Sequence, residues 1–387
     1  NLIRSTLDQS ISSKVFVDHR VGVSTNNQFG ERDLSTLVSK SMEMAHASIA
    51  DEANVLVENQ GKHDFINEIE VQDSDWMNHL LSEFLEESNR LFPKTIIEST
   101  VLKFKNEQKV LLSSSGTFLT SHQTNYEGFV MFTSKDGKKS SSFNYASFVK
   151  NKDSTPLMET SGLRDLLRES GEQINVKKIP HKFAGEIVLT PSCLGDFLSS
   201  FLSYIETDKL LKKQSFLQNR LDEKVASDLL TVRSAPQANE FAHKQFWSAE
   251  GSLVRDEVYL ENGILRNYIL NDYGARKLQL KRSLSTGTHL IVEPGVTKFS
   301  EMIKSIKKGL LVGRFSGGRP SENGDFSGIA KNSYYIENGE ILFPVSEVMI
   351  SGNFSLLMNN VAAVSRETIN FGTEKYPWVQ FRGVVVS

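Results

Sequence analysis

Cysteine is almost missing: Cys193 is the one thiol in 387 residues. That excludes an internal disulfide and any zinc site needing two or more thiolates, and it fits a reducing cytoplasm. No run approaches the roughly 18 apolar residues of a membrane-spanning helix. Neither sign of charge is in excess. A formal net charge of -3 and a pI near 6.3 exert no general pull toward nucleic acid or anionic lipid. No low-complexity tract and no secretory signal is visible, and the chain begins at Asn1 without a Met, which leaves room for an upstream segment. Histidine is present but dispersed. His19, His46, His63, His79, His122, His181, His243 and His289 nowhere lie three to five residues apart, so no helix or short loop offers two imidazoles to one ion. A cluster drawn from distant segments stays open. The Gly-x-Ser-x-Gly turn that exposes a hydrolase serine does not occur.

What is present is an ordinary globular composition and length enough for two domains. Residues 15–23 alternate and read as a strand. Leu34, Leu37, Val38, Met42, Ala45 and Ile49 then recur at helical spacing, with Asp33 as the N-cap. Trp76, Leu80, Leu81, Phe84 and Leu85 mark a helix over 75–91, ended by Pro93. Residues 96–104, 109–113, 118–126 and 129–133 read as an antiparallel meander, and Asp136-Gly137 as a hairpin turn into a return strand over 141–148. A polar linker over 151–156 precedes a helix over 157–172. Residues 185–189 form a short strand. Thr190 and Pro191 then open a helix that runs to about residue 206, with Leu194, Phe197, Leu198, Phe201, Leu202 and Ile205 at helical spacing. Beyond it the pattern is mostly β, with hairpin turns at Asn262-Gly263 and Asn338-Gly339, a helix over about 298–308 and a closing strand over 379–386. The fold class is α+β. A mixed α/β N-terminal domain covers 1–155, a connecting helix and linker 156–182, and a β-rich C-terminal domain with an antiparallel sheet 183–387.

The most specific sequence lies late: residues 313–320 (GRFSGGRP), 324–328 (GDFSG), 336–341 (IENGEI), Pro344-Val345 and 350–353 (ISGN). Together they resemble the closing motif of the TldD/PmbA family, described as metallopeptidase-related and as "modulator of DNA gyrase". Shorter matches follow in order. Residues 22–26 (GVSTN) resemble the family's opening, 110–116 (VLLSSSG) its strand-turn, and 222–227 (DEKVAS) its Gly-Glu-Lys-Val-Ala-Ser stretch with Asp222 in place of Gly. Glu250-Gly251 with Val254-Arg255, and 273–278 (YGARKL), complete the series. Each is short and glycine-rich; their number and order carry the resemblance.

The resemblance implies paired subunits around a central cavity, one of them bearing zinc on a helix His-Glu-x-x-x-His and a late cysteine. Here the equivalent helix begins at Pro191, and the ligand and base positions fall near Leu198, Ser199 and Ser203. Phe371 or a neighbour stands where the cysteine is expected. The chain therefore resembles a PmbA/TldE-like member without the zinc motif: no metal, no cofactor and no catalytic residue of its own. Cys193 lies on an apolar helix and reads as core. The implied role is a zinc-free subunit in proteolysis or peptide maturation, holding peptide, a homodimer partner or a zinc-bearing TldD-like subunit, with no direct nucleic acid and no membrane. The implied peptide-binding residues are Arg314, Ser316, Gly317, Gly318, Arg319 and Ser327: small residues let a peptide strand approach, and the arginines meet carboxylates. The alternative is a homodimeric metallopeptidase with unconventional ligands. A regulator of DNA topology is disfavoured by the acidic balance.

Overall fold

The computed structural model describes residues 4–387. The chain opens with a hairpin, β1 (Ile11–Val17) and β2 (Arg20–Asn26), where sequence suggests one strand over 15–23. The turn is Asp18-His19, both at positive φ, a conformation in which Asp is tolerated better than most residues. Helix α1 (Glu31–Ala47) lies on this hairpin. It starts three residues before the expected cap: Gly30 is the N-cap, and Asp33 reaches back to accept the Gly30 N–H at 3.1 Å. Gly22 permits the packing, since a Cβ there would stand 2.0 Å from the Ser41 carbonyl oxygen.

The next layer is a five-stranded sheet. It contains β3 (Lys62–Asn67), β4 (Thr95–Leu112), β5 (Phe118–Asp136), β6 (Lys139–Ser140) and β7 (Asn144–Lys150). The expected four-strand meander is instead a single long hairpin, because β4 and β5 pair from Thr95↔Ser134 to Leu112↔Phe118 with one irregularity, between Ile97 and Ser99. Polar residues such as Lys105 and Asn106 look like breaks in sequence, yet they simply alternate faces of a continuous strand. On one face pack α2 (Ser74–Leu91), capped by Asp73, and α3 (Leu163–Glu172), around a core that includes Phe84, Phe132, Phe148 and Leu167. The helix read over 157–172 is broken: a 3-10 turn over Leu157–Gly162 is followed by a kink at Ser161 and Gly162, both left-handed.

β8 (Phe183–Leu189) leads into α4 (Pro191–Leu202), which stops four residues short of the expected end. The rest is almost wholly β: β9 (Val232–Ser234), β10 (Glu257–Glu261), β11 (Ile264–Leu265), β12 (Leu290–Val292), β13 (Lys308–Val312), β14 (Arg314–Gly317), β15 (Asp325–Lys331), β16 (Ser333–Glu337), β17 (Glu340–Val345), β18 (Val348–Asn353), β19 (Val361–Asn370) and β20 (Lys375–Val386). With β8 they form a 13-stranded sheet along the path β11-β10-β9-β12-β20-β8-β13-β16-β17, to which β14, β15, β18 and β19 attach. It is mixed rather than antiparallel throughout: β8 pairs β13, and β12 pairs β20, in parallel. The helix expected over 298–308 is shorter, Phe299–Ser305. Both Asn-Gly hairpins form where expected. The main core lies between this sheet and α4, with Phe197 set among Phe315, Phe326 and Phe354 at 4.8, 5.4 and 5.9 Å.

The two sheets meet along one face of the β4–β5 hairpin. Gln123 holds Lys244 through both its amide groups, and Val149 N–H donates to Phe371 O at 2.8 Å. The latter approach depends on Gly372 at φ +90°, where a Cβ would lie 1.6 Å from the Val149 oxygen. No helix among the described residues is long and apolar enough to cross a membrane.

Candidate functional site

Between the two sheets opens a cleft of about 1060 Å³. One wall comes from β4, β5, β7 and α3, including Val101, Lys103, Glu127, Phe129, Tyr145 and Glu169. The other comes from α4, the start of β14 and the segment that joins β19 to β20, including Asp196, Arg314, Phe371, Glu374, Tyr376 and Trp378. The volume lies at the upper end of the range for ligand pockets.

Helix α4 has a submerged face and a cleft face. Cys193, Leu194, Phe197, Leu198, Phe201 and Leu202 are buried, while Ser192, Gly195, Asp196 and Ser199 line the cleft at spacings of three and four. Of the positions that sequence marks on this helix, only Ser199 reaches the cleft. Leu198 is 1 % exposed and belongs to the core. Ser203 sits past the last α-helical turn, and its hydroxyl donates to Ser200 O at 2.7 Å. The cleft stripe includes Asp196, the one charged residue of the helix, and that singularity was the signal available in sequence. The segment around Phe371 does come to the same cleft, as Phe371, Thr373 and Glu374.

The electrostatics are those of crowded carboxylates. Asp196 opens on the cleft but is hemmed in by protein, which raises its pKa; Arg314 pulls the other way. Glu374 is raised by burial and by Asp196, against the neighbouring Tyr376 hydroxyl, which lowers it. Burial and then Glu374 push the Tyr376 hydroxyl well up. Burial likewise raises the Cys193 thiol, so it is a poor thiolate donor despite its place at the cleft floor. Across the cleft, burial lifts Glu169 to about 7 against the charge of Arg168, with Asp165 and Glu172 adding to the rise.

Zinc needs about four N, S or O donors at roughly 2.0–2.3 Å on a rigid frame. No histidine lines the cleft, and among the described residues no three His, Cys, Asp or Glu side chains converge on one point. The donor set does not fit a zinc ion. His243 and His289 do stack, 5.7 Å apart, but at the far end of the hairpin, where His243 lies 3.5 Å from Glu107.

The expected peptide-binding residues separate. Arg314 lines the cleft, whereas Ser316, Gly317, Gly318, Arg319 and Ser327 lie on the outer part of β14, the turn after it and β15, away from the lining. Gly317 is fixed by packing, since a Cβ there would meet the Phe315 ring at 2.5 Å and Ser327 O at 2.8 Å; Gly318 is open.

The model of the PmbA/TldA metallopeptidase C-terminal domain matches residues 184–387. The chain belongs to the PmbA/TldD family. It is 26% identical over 298 residues to the metalloprotease PmbA homolog of Buchnera aphidicola, covering 71% of this chain and 65% of that protein. It is 30% identical over 227 residues to a metalloprotease of Methanothermobacter thermautotrophicus, covering 54% and 50%. The chain thus spans half to two thirds of the length of these curated relatives. In three dimensions it resembles TldE from Thermococcus kodakarensis, at 16% identity, a TM-score of 0.81 and coverage of 98% and 95%. A Bacteroides thetaiotaomicron structure with a modulator-of-DNA-gyrase name gives 24%, 0.81, and 97% and 87%. These likenesses establish the PmbA/TldD-type α+β fold.

Proposed function

We propose that this chain is a zinc-free, peptide-holding subunit of a PmbA/TldD-type peptidase system, working in the cytoplasm with a second subunit that carries out hydrolysis. The observation that carries the reading is the cleft itself: it has room for peptide, yet the helix and closing segment that form its floor hold no set of metal donors. The names of the curated relatives supply the proteolytic context. Amide hydrolysis needs an activated water or nucleophile and a stabiliser for the oxyanion. Ser316 and Ser327 are exposed on β14 and β15 with no base among the described residues in a side-chain hydrogen bond to either, and burial raises the Cys193 thiol well above its ordinary value.

Capture needs less. Among the described residues strands β4 and β14 each pair with one strand, so each carries an unpaired edge, and both contribute cleft residues. An extended peptide gains main-chain hydrogen bonds at such an edge. The test is to incubate the purified chain with unstructured peptides and follow binding by fluorescence anisotropy and turnover by mass spectrometry. Binding without turnover is expected, along with no stoichiometric zinc after dialysis. Turnover abolished by a chelator overturns the reading in favour of a metallopeptidase with unconventional ligands; turnover that survives the chelator moves it to a nucleophile.

A further inference from the structure

The sequence alone favours an anionic ligand, met by Arg314 and Arg319. The charges actually free in the cleft have the opposite sign. Arg319 is not part of the lining. Arg314 keeps its charge and bears on Asp196, but the two form no salt bridge: the guanidinium donates to Phe143 O at 3.0 Å and lies 4.3 Å from the centre of the Phe143 ring and 5.9 Å from that of Tyr145. Arg168 is occupied by Glu172 at 2.6 Å, Asp165 at 3.4 Å and Glu169 at 3.6 Å, and Lys103 faces Glu127 at 4.0 Å. On the acidic side, Glu172 also receives the Tyr334 hydroxyl at 2.6 Å, and Glu367 accepts the Phe299 N–H at 2.9 Å.

Two carboxylates remain, Asp196 and Glu374. Among the described residues neither enters a salt bridge, and both line the same floor, Asp196 from α4 and Glu374 from the turn before β20, with Asp196 adding to the rise that burial gives Glu374. Tyr376 is only 2 % exposed and borders the same floor beside Glu374. Like charges crowded into partly desolvated space are relieved by a cation. Around them the cleft is aromatic, with Phe371, Tyr376 and Trp378 on one wall and Phe129 and Tyr145 on the other. Such walls take the aliphatic stem of a lysine or arginine and attract its charged head.

We propose that the cleft selects peptides bearing a cationic group, a Lys or Arg side chain or a free N-terminal amine, and that Asp196 and Glu374 receive it. This rests on the peptide-cleft reading and adds a sign to it. Asp196 presents its carboxylate from a helix that cannot shift without disturbing the core, so the negative charge is fixed in place. Glu374 approaches from the turn between β19 and β20. A primary ammonium received at this floor gains a charge-assisted hydrogen bond and offsets their like charge.

The test uses the whole chain and four labelled peptides on one backbone. Three are N-acetylated, with Lys, norleucine or Glu at the centre; the fourth is the norleucine peptide with a free amine. Anisotropy titrations are expected to show the Lys peptide binding about ten-fold tighter than the norleucine peptide, and the Glu peptide binding more weakly than either. That preference is expected to shrink with added salt. A free-amine peptide that outbinds its acetylated twin makes the N-terminal amine a ligand as well. In Asp196→Asn, and in Asp196→Asn with Glu374→Gln, the Lys-to-norleucine ratio is expected to drop toward one, with melting temperature checking the fold. Equal affinity for Lys and norleucine in the unaltered chain overturns the charge preference and leaves peptide binding standing. A preference that persists in the folded double variant overturns the assignment to these two residues. Absence of binding by all four peptides overturns the cleft reading, and this inference with it.

Discussion

Two helices of similar length face each other across the cleft, and they handle charge in opposite ways. In α3 only Leu163, Leu167 and Ser170 are buried; the rest of its surface carries Arg164, Asp165, Arg168, Glu169 and Glu172, which pair among themselves and with Glu87 and Glu159. In α4 seven of twelve residues are buried, and the helix brings one charge, Asp196, which among the described residues enters no salt bridge. A helix that neutralises its own charge is a wall. A helix that is mostly core, with one unpaired carboxylate at its surface, has the asymmetry expected of a binding face.

The most severe way to break that comparison is on the submerged side of α4. Leu198→Ala deletes a side chain that is 1 % exposed in the main core. The expected loss is about 2–5 kcal/mol, since a cavity is left where the sheet and helix cannot collapse together. Urea unfolding measures it. A loss below about 1 kcal/mol would show that α4 is not anchored by its apolar face, and the fixed placement of Asp196 would go with it.

The opposite wall is tested by pH. Glu169 in the folded chain is raised to about 7 by burial. A raised carboxyl favours the fold in its protonated form. Its contribution is therefore complete below the ordinary carboxylate range and disappears as pH climbs through about 7, above which the fold must hold a poorly solvated charge. Glu169→Gln should leave stability nearly unchanged near pH 4.5 and raise it by about 1–3 kcal/mol at pH 8. The side chain is 18 % exposed, so screening takes only a modest part of that. Equal effects at both pH values would mean that Arg168 fully compensates the charge.

How much of this was legible in the sequence follows from the range of the forces involved. Local chemistry was readable: the Asn262-Gly263 and Asn338-Gly339 turns, Pro191 at the first position of α4, and the helix that begins beside Asp73 all depend on residues a few positions apart. The continuous pairing of β4 with β5 was not, because register over eighteen residues is set by the partner strand and the helices packed on it. The site was legible by half. Resemblance pointed to α4 and the segment near Phe371, which do share the cleft, and of the marked helix positions Ser199 lies on the cleft face, while Leu198 is two residues from Asp196. That is about 200° of rotation, enough to put Leu198 in the core and to hide Asp196 from notice. Nor does sequence show that Arg314 is committed to Phe143, which lies 171 residues away. The sign of the free charge in the cleft is a tertiary fact.

The mildest test distinguishes the two faces of α4 at adjacent positions. Ser199 lines the cleft and is exposed, one residue from buried Leu198. Its hydroxyl makes no side-chain hydrogen bond to any described residue, so Ser199→Ala removes no partner, and alanine is the better helix former by a few tenths of a kcal/mol. Stability is expected to stay within about 0.5 kcal/mol of the unaltered chain, on the favourable side. Peptide affinity is expected to change little as well, since the proposed recognition runs through the carboxylate one turn earlier. A marked loss of peptide affinity without loss of stability would move the centre of the site toward the C-terminal end of α4, and would make Ser199, rather than Asp196, the residue through which this helix meets its ligand.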